Sequence, residues 1–322
     1  QQAGENQPAL VDLQVRTPNL ELAVAGTVLA EDRIELEPGA YAELALSPAT
    51  LKTLLGEGEA PLELLEPAEL RAEWSGMRLG LLAAGEDTEG AVDFARSLMD
   101  LTVTLPYFHG RLPGQGPTEI RDFAMRVVGQ NLEQRIDASL KAHLRQGLVL
   151  PSPGITDDEE STHGIERRVD AVLDLTAELH ELFGEQARLR AQGGLASVKG
   201  EDPNLLPISM ELRDLQVGLT DGEQSPMVAD ASLYSIPVGL LDALAGKDGA
   251  LVALLGGLID EMSVKVTQAS ASSLMNATLA LRSRNVNGSF AAEIRPGDRM
   301  EVRPGSFLEL LLTPEAWEMW VP

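Results

Sequence analysis

Two stretches of this chain, one near each end, share a register that runs without a gap. Asp32-Arg33-Ile34-Glu35-Leu36-Glu37-Pro38-Gly39 meets Asp298-Arg299-Met300-Glu301-Val302-Arg303-Pro304-Gly305. Tyr41 falls on Phe307, Glu43-Leu44 on Glu309-Leu310, and Ser47-Pro48 on Thr313-Pro314; upstream, Leu13, Arg16 and Asn19 meet Leu279, Arg282 and Asn285. Roughly a dozen of about forty aligned positions are identical, the self-similarity expected of an internal duplication. A second echo, which needs gaps, sets Glu69-Leu70-Arg71 against Glu211-Leu212-Arg213 and Leu98-Met99-Asp100 against Leu258-Ile259-Asp260. The order is then A, B, middle, B, A.

The repeated segments read as strands. Leu20 to Val24 and Arg33 to Glu37 alternate apolar with polar or small residues, the period of a half-buried strand, and Pro38-Gly39 is a turn signal. Ser47-Pro48 reads as a helix start, because Ser caps free amides and Pro suits the first helical position.

In the middle the pattern reads as helical. Thr118 caps a helix along which Ile120, Phe123, Val127, Val128, Leu132, Ile136, Leu140 and Leu144 mark one face, and Gly147 ends it. A polar link carrying Asp157-Asp158-Glu159-Glu160 leads to a second helix with Ile165, Val169, Val172, Leu173, Thr176, Leu179, Leu182 and Phe183 on its apolar side. Two such helices predict an antiparallel hairpin. The expected fold class is therefore α+β: two related strand-rich modules at the chain ends with an intervening long helical hairpin. The expected divisions are a mobile tail over 1–9, a strand-rich module over 10–110, the hairpin over 111–200, and a related strand-rich module over 201–322.

Composition narrows the function. The chain has 322 residues, with 44% apolar and 23% charged, as folded proteins do. Fifty acidic against 25 basic side chains give a net charge of −25, which repels nucleic-acid backbones, so no nucleic-acid partner is expected. Cysteine is absent, which removes disulfides, thiolate catalysis and cysteine-ligated zinc. His109, His143, His163 and His180 have no metal-ligand spacing. No Gly-x-Ser-x-Gly elbow surrounds Ser75 or Ser197, and no phosphate-cradling or dinucleotide motif occurs. Trp74, Trp317 and Trp320 are too few to wall a sugar site, and the loops at Asp157–Glu160 and Glu86–Glu89 lack the calcium-binding pattern of central Gly and terminal Glu. No catalytic residue, metal or cofactor is expected.

The most apolar stretch, Gly249 to Ile259, is too short for a transmembrane helix and is expected as a buried helix. Leu251, Leu254, Leu255 and Leu258 are the candidate ligand-binding residues. The polar start Gln1-Gln2-Ala3-Gly4-Glu5-Asn6, with no initiator Met, leads to an expected extracytoplasmic location, periplasmic or secreted. The expected function is a non-enzymatic binding protein for an apolar, lipid-like ligand or a protein partner. The alternatives are a structural or assembly subunit of a larger complex, and a hydrolase with a dispersed site.

Overall fold

The structure is a computed structural model, which describes residues 8–29, 33–50, 63–81, 92–111, 117–150, 165–181, 187–200, 202–219, 226–238, 241, 250–270, 272–295, 299–311 and 314. Of these, 77% lie in strands and 5% in helices, and no helix reaches seven residues. The strands are β1 (Ala9–Arg16), β2 (Leu20–Leu29), β3 (Arg33–Leu36), β4 (Ala40–Leu46), β5 (Glu63–Leu64), β6 (Ala68–Leu81), β7 (Val92–Arg111), β8 (Pro117–Asn131), β9 (Arg135–Leu150), β10 (Ile165–His180), β11 (Arg188–Ser197), β12 (Ser209–Gly218), β13 (Met227–Pro237), β14 (Leu258–Gln268), β15 (Met275–Ser283), β16 (Val286–Arg295), β17 (Arg299–Val302) and β18 (Phe307–Leu310). A short helix, α1 (Ala250–Leu255), precedes β14.

The helical hairpin expected over 111–200 is corrected: that region forms β8, β9, β10 and β11, so the molecule is nearly all antiparallel sheet and not α+β. The cause is a coincidence of periods. Ile136, Leu140 and Leu144 are four residues apart, close to one helical turn, but four is also an even number. Along β9 the intervening Ala138 and Ala142 complete a strict alternation with Arg135, Asp137, Ser139, Lys141 and His143. In β10, Val169, Ala171, Leu173, Leu175, Ala177 and Leu179 alternate with Asp170, Val172, Asp174, Thr176, Glu178 and His180. In β9, two-residue steps with alanine at every second apolar place imitate a helical stripe when only the large side chains are read; in β10, Val172 and Thr176 of the other row complete one.

The chain divides into two compact units, one of Gln1–Gly110, Glu119–Ala142 and Leu175–Leu189, the other of Arg111–Thr118, His143–Asp174 and Arg190–Pro322. In the first, β1 pairs with β2, β2 with β3 and β4, both of these with β6, and β6 with β7, all antiparallel. Its buried cluster is Leu64, Ala68 and Phe108, backed by Leu46, Leu105 and Ile120. In the second, β12 through β16 pair in succession and β16 pairs with both β17 and β18. Its buried cluster is Val169, Ala171, Ile208, Ile236, Val238 and Ile259.

The end segments aligned in sequence use the same backbone bonds, each pair of residues 266 positions apart, as Asn285 is from Asn19 (285 − 19). Arg16 stands opposite Glu21 in β1–β2, and Arg282 opposite Asn287 in β15–β16. Gly26 faces Leu36, and Ala292 faces Val302. The Glu37 amide donates to the Ala25 carbonyl at 2.8 Å, and the Arg303 amide to the Ala291 carbonyl at 2.7 Å. The Ala45 and Leu311 amides donate to the Asn19 and Asn285 carbonyls at 2.9 and 2.8 Å. In both copies the Pro-Gly pair makes a turn whose glycine has a positive φ, 93° at Gly39 and 90° at Gly305, a conformation that a Cβ disfavours.

Candidate ligand-binding face

Antiparallel registry fixes which side chains share a face. In the second unit, Met210, Leu212, Leu215 and Val217 of β12 lie opposite Leu233, Ala231, Ala229 and Met227 of β13. The slip between Leu212 and Asp214 is a bulge that keeps the row on one side. The row continues through Met262, Val264 and Val266 of β14, then Leu281, Leu279 and Ala277 of β15. It reaches Gly288, Phe290, Ala292 and Ile294 of β16, and ends at Val302 and Met300 of β17 and Leu308 and Leu310 of β18. Six ranks of strands about 4.8 Å apart make this apolar face about 24 Å across.

The opposite face is polar. Arg213 pairs with Asp230 at 3.0 Å, and Lys265 approaches the same carboxylate at 3.6 Å. Arg282 meets Glu261 at 3.3 Å, Arg295 meets Glu301 at 3.0 Å, and Arg303 meets Glu293 at 2.5 Å. The basic partner of each pair is exposed, and each pair adds about 1 kcal/mol or less. Their main effect is to make one side of the sheet wet. The first unit repeats the division: Val24, Gly26 and Val28 with Ile34 and Leu36 on one side, and Glu35 taking Arg78 at 2.7 Å on the other.

Along β12, β13 and β14 the members of the second unit's apolar face are half-buried, as are Ala277 and Leu281 of β15, while Leu279 of β15 is 43% and Phe290 of β16 41% exposed. A sheet with one apolar and one charged face buries the apolar one against something. Among the described residues, one end of the face packs on a buried cluster. Leu233, Met262 and Leu281, a single cross-strand row, pack against the buried cluster together with Leu251, Val252 and Leu255 of α1.

The four leucines singled out in the sequence therefore stand at that end of the face. Leu251 and Leu255 touch the buried cluster; Leu254 and Leu258 are half-buried, and Leu258 opens β14 rather than continuing the helix. The helix stops because Gly256 adopts φ 81° and its amide donates to the Val252 carbonyl at 2.8 Å, a helix-terminating turn suited to glycine. Beneath α1 lies Asn285. Its Nδ2 donates to the Ala253 carbonyl at 3.2 Å, while its buried Oδ1 accepts no hydrogen bond among the described residues. A buried, unmatched acceptor costs about 1–3 kcal/mol. Hydropathy gave no sign of this position.

Three histidines fall in the described strands and each meets a carboxylate. His109 Nδ1 is 3.2 Å from Glu66, His180 Nε2 is 3.2 Å from Glu178, and His143 Nε2 bonds Asp170. Arg145 also donates to Asp170, at 2.8 Å. Burial would raise the Asp170 pKa, but the His143 hydrogen bond and the Arg145 charge outweigh it and hold the carboxyl below its ordinary value. This cross-strand cluster of β9 and β10 was not anticipated, because its members lie far apart in a region read as two helices. Ser197 Oγ lies 2.9 and 2.8 Å from the Leu206 and Ile208 carbonyls, a backbone tie rather than a nucleophile's setting. No group of three or more metal-ligating side chains occurs among the described residues. Nor is any described helix long and apolar enough to cross a membrane. His163, the acidic segments 86–89 and 157–160, Leu182, Phe183, Trp317 and Trp320 lie outside the described residues. Comparison of the chain with known protein families, with curated proteins and with solved structures finds no match.

Proposed function

We propose that this chain is a non-enzymatic binding protein, working outside the cytoplasm, that carries an apolar, lipid-like ligand on its apolar sheet face. The observation that carries the reading is the face itself: a two-dimensional apolar surface, half-buried and closed at one end by α1, backed by a face of ion pairs. Ordinary monomers keep contiguous apolar patches to a few hundred Å², and larger ones mark binding surfaces. The rows are built from Met, Leu and Val with few hydrogen-bonding groups, which suits an extended hydrocarbon better than a polar metabolite. Leu251, Leu254, Leu255 and Leu258 form the closed end of this surface in the proposal.

Native mass spectrometry of gently purified protein tests it. The expected result is a chain of 34.5 kDa carrying additional mass that is lost on denaturation and is soluble in organic solvent. Val264→Asp, on the half-buried middle of the face, should keep the strand spectrum and lose that mass. Leu255→Asp, set on the buried cluster, should unfold instead. A folded protein without bound mass, and with no uptake of fatty acid or phospholipid from vesicles, would sink the proposal.

A further inference from the structure

The two copies of the repeated segment differ in what lies beside them. In the second copy, β15 has neighbours on both edges, β14 and β16. Its counterpart in the first copy, β1, pairs with β2, and seven of its eight residues are exposed, Leu10 at 81%. The reverse holds at the other end. In the first copy β3 and β4 lie between β2 and β6. Their counterparts β17 and β18 pair with β16, and every residue of β18 is exposed. Ile34, Leu36 and Leu44 are half-buried beside β6, while their equivalents Met300, Val302 and Leu310 are 62%, 48% and 47% exposed. Among the described residues, each copy thus shows the neighbour that the other lacks.

We infer that β1 of one copy of this chain and the β17–β18 edge of a second copy pair antiparallel, continuing the sheet from molecule to molecule. The occupant follows from the sister edges. The edge of β17 and β18 calls for a strand with an apolar row, as β6 supplies Leu79, Met77 and Leu70 to Ile34, Leu36 and Leu44. The edge of β1 calls for a row like Met262 and Val264 of β14, which face Leu281 and Leu279. Val11, Leu13 and Val15 on β1, and Met300, Val302, Leu308 and Leu310 on β17 and β18, are such rows, and both belong to apolar faces. Pairing them satisfies open backbone groups and covers exposed apolar side chains in one step. The contact joins two different edges, so it is heterologous and generates a ring or a filament, not a closed twofold dimer. The inference does not depend on a ligand being bound.

The experiment uses the full chain with one edge blocked at a time. Val11→Lys with Leu13→Lys charges the β1 edge; Leu308→Lys with Leu310→Lys charges the β18 edge. All four positions are exposed, so the strand spectrum should persist, and Leu10→Lys alone is the milder substitute if the pair on β1 unfolds. In sedimentation equilibrium the unaltered chain is expected to exceed 34.5 kDa in a concentration-dependent way. Each blocked variant alone should remain a monomer. An equimolar mixture of the two should form one-to-one dimers and nothing larger, since each retains the edge that the other has lost. An unaltered chain that stays monomeric to its solubility limit overturns the inference. So does a blocked variant that still dimerises by itself, or a mixture that does not associate.

Discussion

Asp170 shows how one carboxylate can hold two neighbouring strands. It is 15% exposed, bonded by His143 and by Arg145 at 2.8 Å, both on the neighbouring strand β9. Hydrogen bonds to a charged group are worth about 1.5–3 kcal/mol, and the exposure of Arg145 places this one toward the low end. Asp170→Asn should therefore lower stability by about 1–2 kcal/mol, measured by urea unfolding at neutral pH. The pH dependence has a definite sign. The folded carboxyl titrates below its unfolded value of about 3.9, so its contribution is fully present above that value and fades as pH falls through the folded pKa. The difference in stability between Asp170→Asn and the unaltered protein should shrink toward zero on acidification. A difference that stays constant down to the acid limit would show that the side chain acts by packing alone.

At the scale of the element, what was legible depended on the size of the side chains that mark the rows. β3 alternates Ile and Leu with Arg and Glu, β2 opens Leu-Glu-Leu-Ala-Val, and the turn at Pro38-Gly39 is spelled out by its residues. β9 alternates strictly with alanine in alternate apolar places, and β10 holds Ala171 and Ala177 in one row and Val172 in the other, so the large residues of either strand cannot be told from a helix stripe. The short reach of α1 was hidden for a different reason: Gly256-Gly257 lies inside an apolar run, and only the positive φ of Gly256 shows that the helix ends there. The turns of the two copies allow a clean comparison. A Cβ added at Gly39 or Gly305 meets nothing within 4 Å, so replacing either by alanine strains the backbone and nothing else. Gly39→Ala and Gly305→Ala should each cost about 1 kcal/mol or more, and by similar amounts, in chemical denaturation. A cost at one turn and none at the other would mean that the shared hydrogen bonds do not carry shared energetics.

For the whole molecule, the decisive property is one that no single strand reveals. Alternation tells which residues of a strand lie together, but burial of that row depends on whether another layer covers it, and layers come from long-range topology. Leu251 to Leu258 could be picked out as apolar; that they stand at the end of a face running through Met262, Val264 and Val266 follows from registry across β12 to β16. The half-burial of that face carries a thermodynamic consequence. A ligand that binds only the folded chain stabilises it by about 2.7 kcal/mol when present at one hundred times its dissociation constant. At roughly 2–4 °C per kcal/mol for a unit of about 150–250 residues, the melting temperature should rise by about 5–10 °C when stripped protein is reloaded with a long-chain fatty acid or phospholipid. Val264→Asp should abolish that rise while leaving the melting of the stripped protein within a few degrees, because a half-buried position gives up less on substitution than a sealed one. Ile259→Ala, at a residue 2% exposed, should do the opposite, lowering the melting temperature of stripped and loaded protein alike and preserving the interval between them. If both substitutions shift the stripped protein equally and neither changes the interval, the apolar rows serve only to hold the fold.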